Sequence, residues 1–172
     1  MPSEIRSALD ADLDLLAGIE DAADRRFVDL FRPERWDAAP SGRVRAAQPG
    51  FVLVAAERPS GPPIGFVHVL EHDGAHLEQL AVLPEAGRRG HGRALVRAAL
   101  VESARRGHER VTLRTYADVP WNAPFYASLG FVESEPDTPF LRGLVATEAR
   151  LGLDRHGRRV QLTASSGVPG PR

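Results

Sequence analysis

The sequence of 172 residues contains no cysteine. Disulfides, thiolate nucleophiles and cysteine metal sites are thereby excluded. Lysine is absent too, so the fixed side-chain cations are all guanidinium groups. That removes lysine Schiff-base chemistry and favours forked contacts to phosphate or carboxylate. No apolar run approaches a membrane-spanning length. The opening "MPSEIRSALDADLDLL" has acidic residues where a signal peptide needs an apolar core, so a cytoplasmic location is expected. Charge of either sign in excess is also missing: 22 Arg balance 23 Asp and Glu, for a net charge of -1. Neither nucleic acid nor an anionic membrane is expected as the main partner. What remains, 42% hydrophobic and 26% charged residues without an internal repeat, suits one globular domain with a real core.

The pattern along the chain is α/β. "EIRSAL" alternates as a short strand. Asp10 or Asp12 is placed to cap a helix whose apolar residues recur at Leu13, Leu16, Ile19, Phe27, Leu30 and Phe31. "FVLVAAE", "IGFVHVLEH" and "HLEQLAVL" read as three strands joined by short turns, an antiparallel meander. A helix over about Gly90–Arg106, ended by Gly107, separates the third from "RVTLRT", which implies a right-handed βαβ crossover. "WNAPFYASLGF" is a short helix that Asn122 can cap, "PFLRGLVATEARLGL" another helix, and "RRVQL" a last strand. One domain is expected over residues 1–162, with a mixed sheet of six to seven strands flanked by helices. Residues 163–172, rich in Ser, Gly and Pro, are expected as a disordered tail.

The link between third strand and helix, "LPEAGRRGHGRA", carries the chemical signal. Glycines that open a helix after a strand let backbone N–H groups point outward together, and the helix dipole adds positive potential. Such a nest binds an anion, usually phosphate. Two familiar phosphate motifs fail. Gly87 and Gly92 have P-loop spacing, but Arg93-Ala94 replace the required Lys-Ser/Thr. "GHGRAL" begins like a dinucleotide fingerprint, but Leu95 stands at the third glycine.

With "LAVLPEAGRRGHGRALV" and "FYASLGF" in view, the sequence resembles the GNAT N-acetyltransferase family from about Phe51 to Phe131. The resemblance implies the GNAT fold and acetyl-CoA as cosubstrate. The family carries Arg/Gln-x-x-Gly-x-Gly/Ala after its fourth strand, where backbone amides hold the pyrophosphate of acetyl-CoA. Here the glycines fall on Gly90 and Gly92, Gly87 takes the first position, and the arginine is displaced to Arg88. The cofactor contacts so implied are Leu80, Ala81 and Val82 along the pantetheine arm, and Arg88, Arg89, Gly90, His91, Gly92 and Arg93 around the diphosphate. Asn122 is a further candidate, although the family asparagine commonly lies where this chain has Val119. Tyr126 takes the place of the tyrosine proposed to protonate the departing thiolate.

Acetyl transfer to an amine also needs a base, because an alkylamine is only about one part in a few thousand neutral at pH 7. His76, Glu78, Leu80 and Val82 share one strand face. The family glutamate aligns with His76, and Glu78 is one pair closer to the cofactor, so Glu78, His76 or a water between them remains the candidate. Without cysteine, no acetyl-thiol relay exists and direct attack in a ternary complex is expected. By the resemblance, the Val82 amide would polarise the carbonyl. The acceptor region, Ala11 to Gly50, interleaves Asp21, Asp24, Asp29, Glu34 and Asp37 with Phe27, Phe31 and Trp36: either a lure for a cationic amine or a solvated acidic face. His68 is placed to line that cleft or to pack as a strand residue. His72, His91, His108 and His156 read as solvated, and no metal is expected. A primary amine, small or peptidic, is the expected partner, with a homodimer plausible from relatives. The rival class is a non-catalytic acyl-CoA sensor.

Overall fold

The computed structural model describes residues 2–167. Seven strands hydrogen-bond in the order β1-β2-β3-β4-β5-β7-β6. They are β1 (Glu4–Ser7), β2 (Gly50–Ala56), β3 (Pro63–Glu71), β4 (Ala75–Val82), β5 (Arg110–Tyr116), β6 (Val132–Ser134) and β7 (Arg159–Ser165). The helices are α1 (Asp10–Phe31), α2 (Gly42–Ala46), α3 (His91–Arg105), α4 (Ala123–Ala127) and α5 (Pro139–Leu151). The chain divides into two compact units: residues up to 70 with 78–99, and residues 71–77 with 100 onward.

In the first unit β1, β2 and β3 form the expected meander, antiparallel in register Arg6↔Val54 and Val52↔His68. From Phe51 to Ala56 every residue of β2 is buried, so the strand is covered on both faces. Against it lies the stripe of α1 at helical spacing, Leu16, Ile19, Glu20 and Ala23. Leu16, Ile19 and Ala23 pack with Val52, Val54, Phe66 and Ala81 in one core cluster. Helix α1 does not start on an aspartate cap. Leu9 takes the cap position, and Asp12 reaches back from inside the helix to the Leu9 N–H at 2.7 Å while Arg6 clamps the same carboxylate at 2.6 Å. Ser41 caps α2. At Gly42 any Cβ would stand 2.2 Å from the Leu13 carbonyl oxygen, so only glycine lets α2 come this close to α1.

In the second unit the start of β4 pairs parallel with β5, Ala75↔Val111 to Leu77↔Leu113, which makes β4–α3–β5 the expected βαβ unit. Two features differ from the sequence reading. Strand β6 was not foreseen, because "VES" is too short and polar to show a period. The segment read as a tail also continues β7: Thr163 to Ser165 pair with Thr112 to Arg110 of β5. Their backbone groups complete a ladder that Thr and Ser side chains, apolar or not, leave untouched. Residues 168–172 of that segment lie outside the described residues. Beneath β5 and β7, Glu148 of α5 bridges Arg114 at 2.6 Å and Arg159 at 2.8 Å.

Candidate active site

The end of β4 is tied to β3 by the Leu83 N–H donating to Ile64 O at 2.8 Å. Pro84 then ends the strand. A single 3-10 turn follows over Pro84–Ala86, closed by the Ala86 N–H on Leu83 O at 2.9 Å and the Gly87 N–H on Pro84 O at 3.1 Å. Two left-handed residues come next, Arg88 at φ 60 and Gly90 at φ 86. An L-residue resists that region, so Arg88 is held there by the turns on either side. The first helical bond of α3 is donated by the Ala94 N–H to Gly90 O, 3.0 Å. The amides of His91 and Gly92 therefore fall in the first turn, where the helix supplies no acceptor. Gly87 to Gly90 are exposed. An exposed, kinked backbone at the positive end of a 15-residue helix is the geometry of an anion nest. Arg89 rests on Glu57 at 2.8 Å, both about half exposed, a pair too solvated to resist a phosphate.

His91 departs from expectation. It is 4% exposed rather than solvated, because it opens α3 on the same face as the fully buried Leu95 one turn on. Burial, followed by the Arg89 charge, lowers its pKa. Its backbone faces the loop while its ring packs inward.

Along β4 the candidate bases part ways. Glu78 is exposed. His76 is 3% exposed, with Nδ1 2.9 Å from Thr112 Oγ1 and the Phe140 ring edge-on at 5.5 Å. Burial, and secondarily Arg114, pushes its pKa down to about 4, so the imidazole is neutral at physiological pH. Asp73, Gly74, Thr138 and Phe140 line the small cavity beside it. At about 3.3 Å per residue, His76 lies some 20 Å along the strand from Val82, and Glu78 about 13 Å. Leu80 and Val82 are half-buried and Ala81 is 2% exposed, in the core cluster.

Tyr126 sits in α4, 8% exposed, edge-on to Phe125 at 5.1 Å and to Phe131 at 5.6 Å. The Phe131 N–H returns to Tyr126 O at 3.2 Å, and Gly130, at φ 92, makes the reversal possible. Asn122 occupies the N-cap, but its side chain makes no capping hydrogen bond.

Sequence reasoning missed one cluster. Glu20 stands inside the apolar stripe of α1, and Arg45 of α2 meets both its oxygens, at 2.8 and 3.0 Å. Both side chains are under a tenth exposed. Burial raises the Glu20 pKa, with Arg45 pulling the other way. The other arm of Arg45 places Nη1 3.1 Å from Nδ1 of His68, which is wholly buried. Burial first, then Arg45, lowers His68 to about 4. The remaining ring nitrogen, Nε2, is buried with no hydrogen-bond partner. An orphan of this kind costs about 1–3 kcal/mol. The signal was the carboxylate at a core position of α1. Beside the cluster, Asp24 accepts from Trp36 Nε1 at 3.3 Å, and Trp36 stacks on Phe27 with centroids 6.2 Å apart.

The antiparallel meander followed by a βαβ crossover is a mixed α/β sheet of the kind found in one transferase family. Residues 17–131 match the model of the acetyltransferase (GNAT) family, and the chain belongs to that family. Among solved structures, it is similar to the ribosomal-protein-S18-alanine N-acetyltransferase of Escherichia coli, at 21% identity and TM-score 0.65 over 99% of this chain and 97% of that one. An acetyltransferase of the GNAT family from Staphylococcus aureus gives 12% identity and TM-score 0.69 over 96% and 99%. N-acetylglutamate synthase from Neisseria gonorrhoeae, complexed with coenzyme A and N-acetyl-glutamate, gives 14% identity and TM-score 0.65 over 96% of this chain and 35% of that larger one.

Proposed function

We propose that the protein transfers the acetyl group of acetyl-CoA directly to a primary amine in a ternary complex. The observation that carries this reading is the exposed turn from Gly87 to Gly90, with two left-handed residues, feeding the N-terminus of α3. There the amides of residues 88–93 hold the diphosphate, with Arg88, Arg89 and Arg93 adding charge. The pantetheine arm adds to the backbone of Leu80, Ala81 and Val82 as an extra strand would, and Asn122 is the further cofactor contact. The Val82 N–H polarises the thioester carbonyl.

Glu78 removes the amine proton, through a water where the span requires it. Its exposure keeps it reachable, whereas His76 is sealed under Phe140 and is the weaker base candidate of the two. The amine attacks the carbonyl carbon, the C–S bond breaks, and Tyr126 gives its proton to the leaving thiolate. No metal enters this scheme.

Calorimetric titration with acetyl-CoA, then an amine screen read by thiol release, tests the proposal. Glu78→Gln should lower kcat about a hundredfold and leave acetyl-CoA affinity unchanged. Unaltered turnover in that variant removes Glu78 as the base. Acetyl-CoA binding without turnover of any amine would make the protein a sensor.

A further inference from the structure

We propose that the turn between β2 and β3 carries a purine subsite, in which Arg58 stacks on the adenine of acetyl-CoA and Glu57 accepts a hydrogen bond from its 6-amino group. The inference rests on the acetyl-transfer reading for the identity of the ligand and deepens it to the nucleoside end of the cosubstrate.

An open cavity of about 260 Å³ lies at this turn, lined by Glu57, Arg58, Gly61, Pro62 and Ile64. That is room for several waters, and so for one bicyclic base. The turn beneath it is firmly held. The Gly61 N–H donates to Arg58 O at 3.0 Å, and Ser60 takes a left-handed φ of 57. The Gly61 carbonyl accepts from Arg6 Nη2 at 3.1 Å, and Arg6 is itself clamped by Asp12 with both side chains largely buried. A Cβ on the buried Gly61 would meet Arg58 Cγ at 2.9 Å, so the Arg58 side chain lies across the turn. Pro62 is exposed and Ile64 half-buried, which gives the cavity an apolar side. A guanidinium plane beside apolar surface suits the face of a base.

Glu57 joins this cavity to the anion nest, because its carboxylate holds Arg89 at 2.8 Å. Burial lowers the His91 pKa, Arg89 adds to that and Glu57 opposes it, so both charges stand near the first turn of α3. On the other wall, Ile64 O accepts from the Leu83 N–H at the end of β4, 2.8 Å. Cavity, nest and the end of β4 thus adjoin within one unit. A diphosphate seated on residues 88–93 draws Arg89 toward itself and leaves Glu57 without its cation. The 6-amino group of adenine then supplies the donor that Glu57 has lost. Hypoxanthine carries a carbonyl oxygen at that position, which a carboxylate repels.

Full-length protein with carbon-13 in the methyls of its isoleucines, Ile5, Ile19 and Ile64, tests the site directly. On addition of acetyl-CoA the Ile64 methyl should shift and receive magnetisation from the adenine ring protons. Calorimetry gives a second reading. The unaltered protein should bind acetyl-CoA about tenfold more tightly than its hypoxanthine analogue. Glu57→Gln, whose amide either accepts or donates, should bring the two affinities together. If Glu57 served only to hold Arg89, both affinities would change alike and their ratio would persist. Arg58→Ala should weaken acetyl-CoA binding about tenfold. An Ile64 methyl that ignores bound acetyl-CoA, or a base preference that survives Glu57→Gln, overturns the purine subsite and leaves the acetyl-transfer reading standing. If acetyl-CoA does not bind at all, both fall.

Discussion

Single side chains here are set apart by burial more than by type. Glu78 and His76 lie two residues apart on β4, yet one meets solvent and the other is neutral beneath Phe140. Sequence spacing places both on one face and cannot separate them, because what seals His76 is α5, sixty-odd residues further along. Tyr126 is wedged between Phe125 and Phe131, and its ring is held by these aromatic contacts. Tyr126→Phe keeps the ring and should bind acetyl-CoA with unchanged affinity, while kcat falls by about a hundredfold or more. Equal kcat in the two proteins, measured by thiol release, would exclude the hydroxyl as the acid. The Glu20–Arg45 pair is a different case: a charge left alone in the core is expensive. Glu20→Ala should lower stability by about 3–5 kcal/mol in urea unfolding, far beyond what removing a surface pair such as Arg35–Asp37 would do.

Secondary elements were legible wherever a period or a breaker dominated. The meander, α3 and α5 follow from apolar spacing with Gly and Pro at the right ends. Strand β6 escaped because "VES" carries no such signal, and the end of β7 escaped because ladder pairing, not side-chain character, holds Thr163 to Ser165. The hinge was readable as an anion nest from its glycines, but the left-handed Arg88 was not, since arginine carries no mark of that conformation. Close approach between elements was equally hidden. At Gly65 of β3 an added Cβ would sit 2.8 Å from Ala81 O, 3.0 Å from Val82 Cγ2 and 3.3 Å from Leu95 Cδ1. Gly65→Ala should push against the very stretch of β4 proposed to hold pantetheine. Calorimetry should then show weaker acetyl-CoA binding, alongside a stability loss of about 1–3 kcal/mol. Tight binding and full stability together would mean that β4 gives way without consequence.

For the molecule as a whole, pH and ligand act on the folding equilibrium. His68 and His76 hold pKa values near 4 when folded, against an ordinary value of 6.5. As pH falls the unfolded chain takes up their protons first. The stability they protect is thus complete above about pH 6.5 and is lost on the way down to about pH 4, on the order of 3 kcal/mol for each ring. Urea unfolding at pH 7.5 and 4.5 should show this fall, and His68→Gln should flatten it. Acetyl-CoA at a hundred times its Kd should add about 2.7 kcal/mol and raise Tm by roughly 5–10 °C. The sheet order has a further consequence for biosynthesis. Strand β7 lies between β5 and β6 and is the neighbour of both. While the chain is still emerging from the ribosome, β5 must wait with one ladder open, its Val111 and Leu113 uncovered, until Ser165 has cleared the exit tunnel. This sheet is therefore completed by its last strand in chain order, and a nonsense codon just ahead of Arg159 would take a partner from β5 and β6 at once.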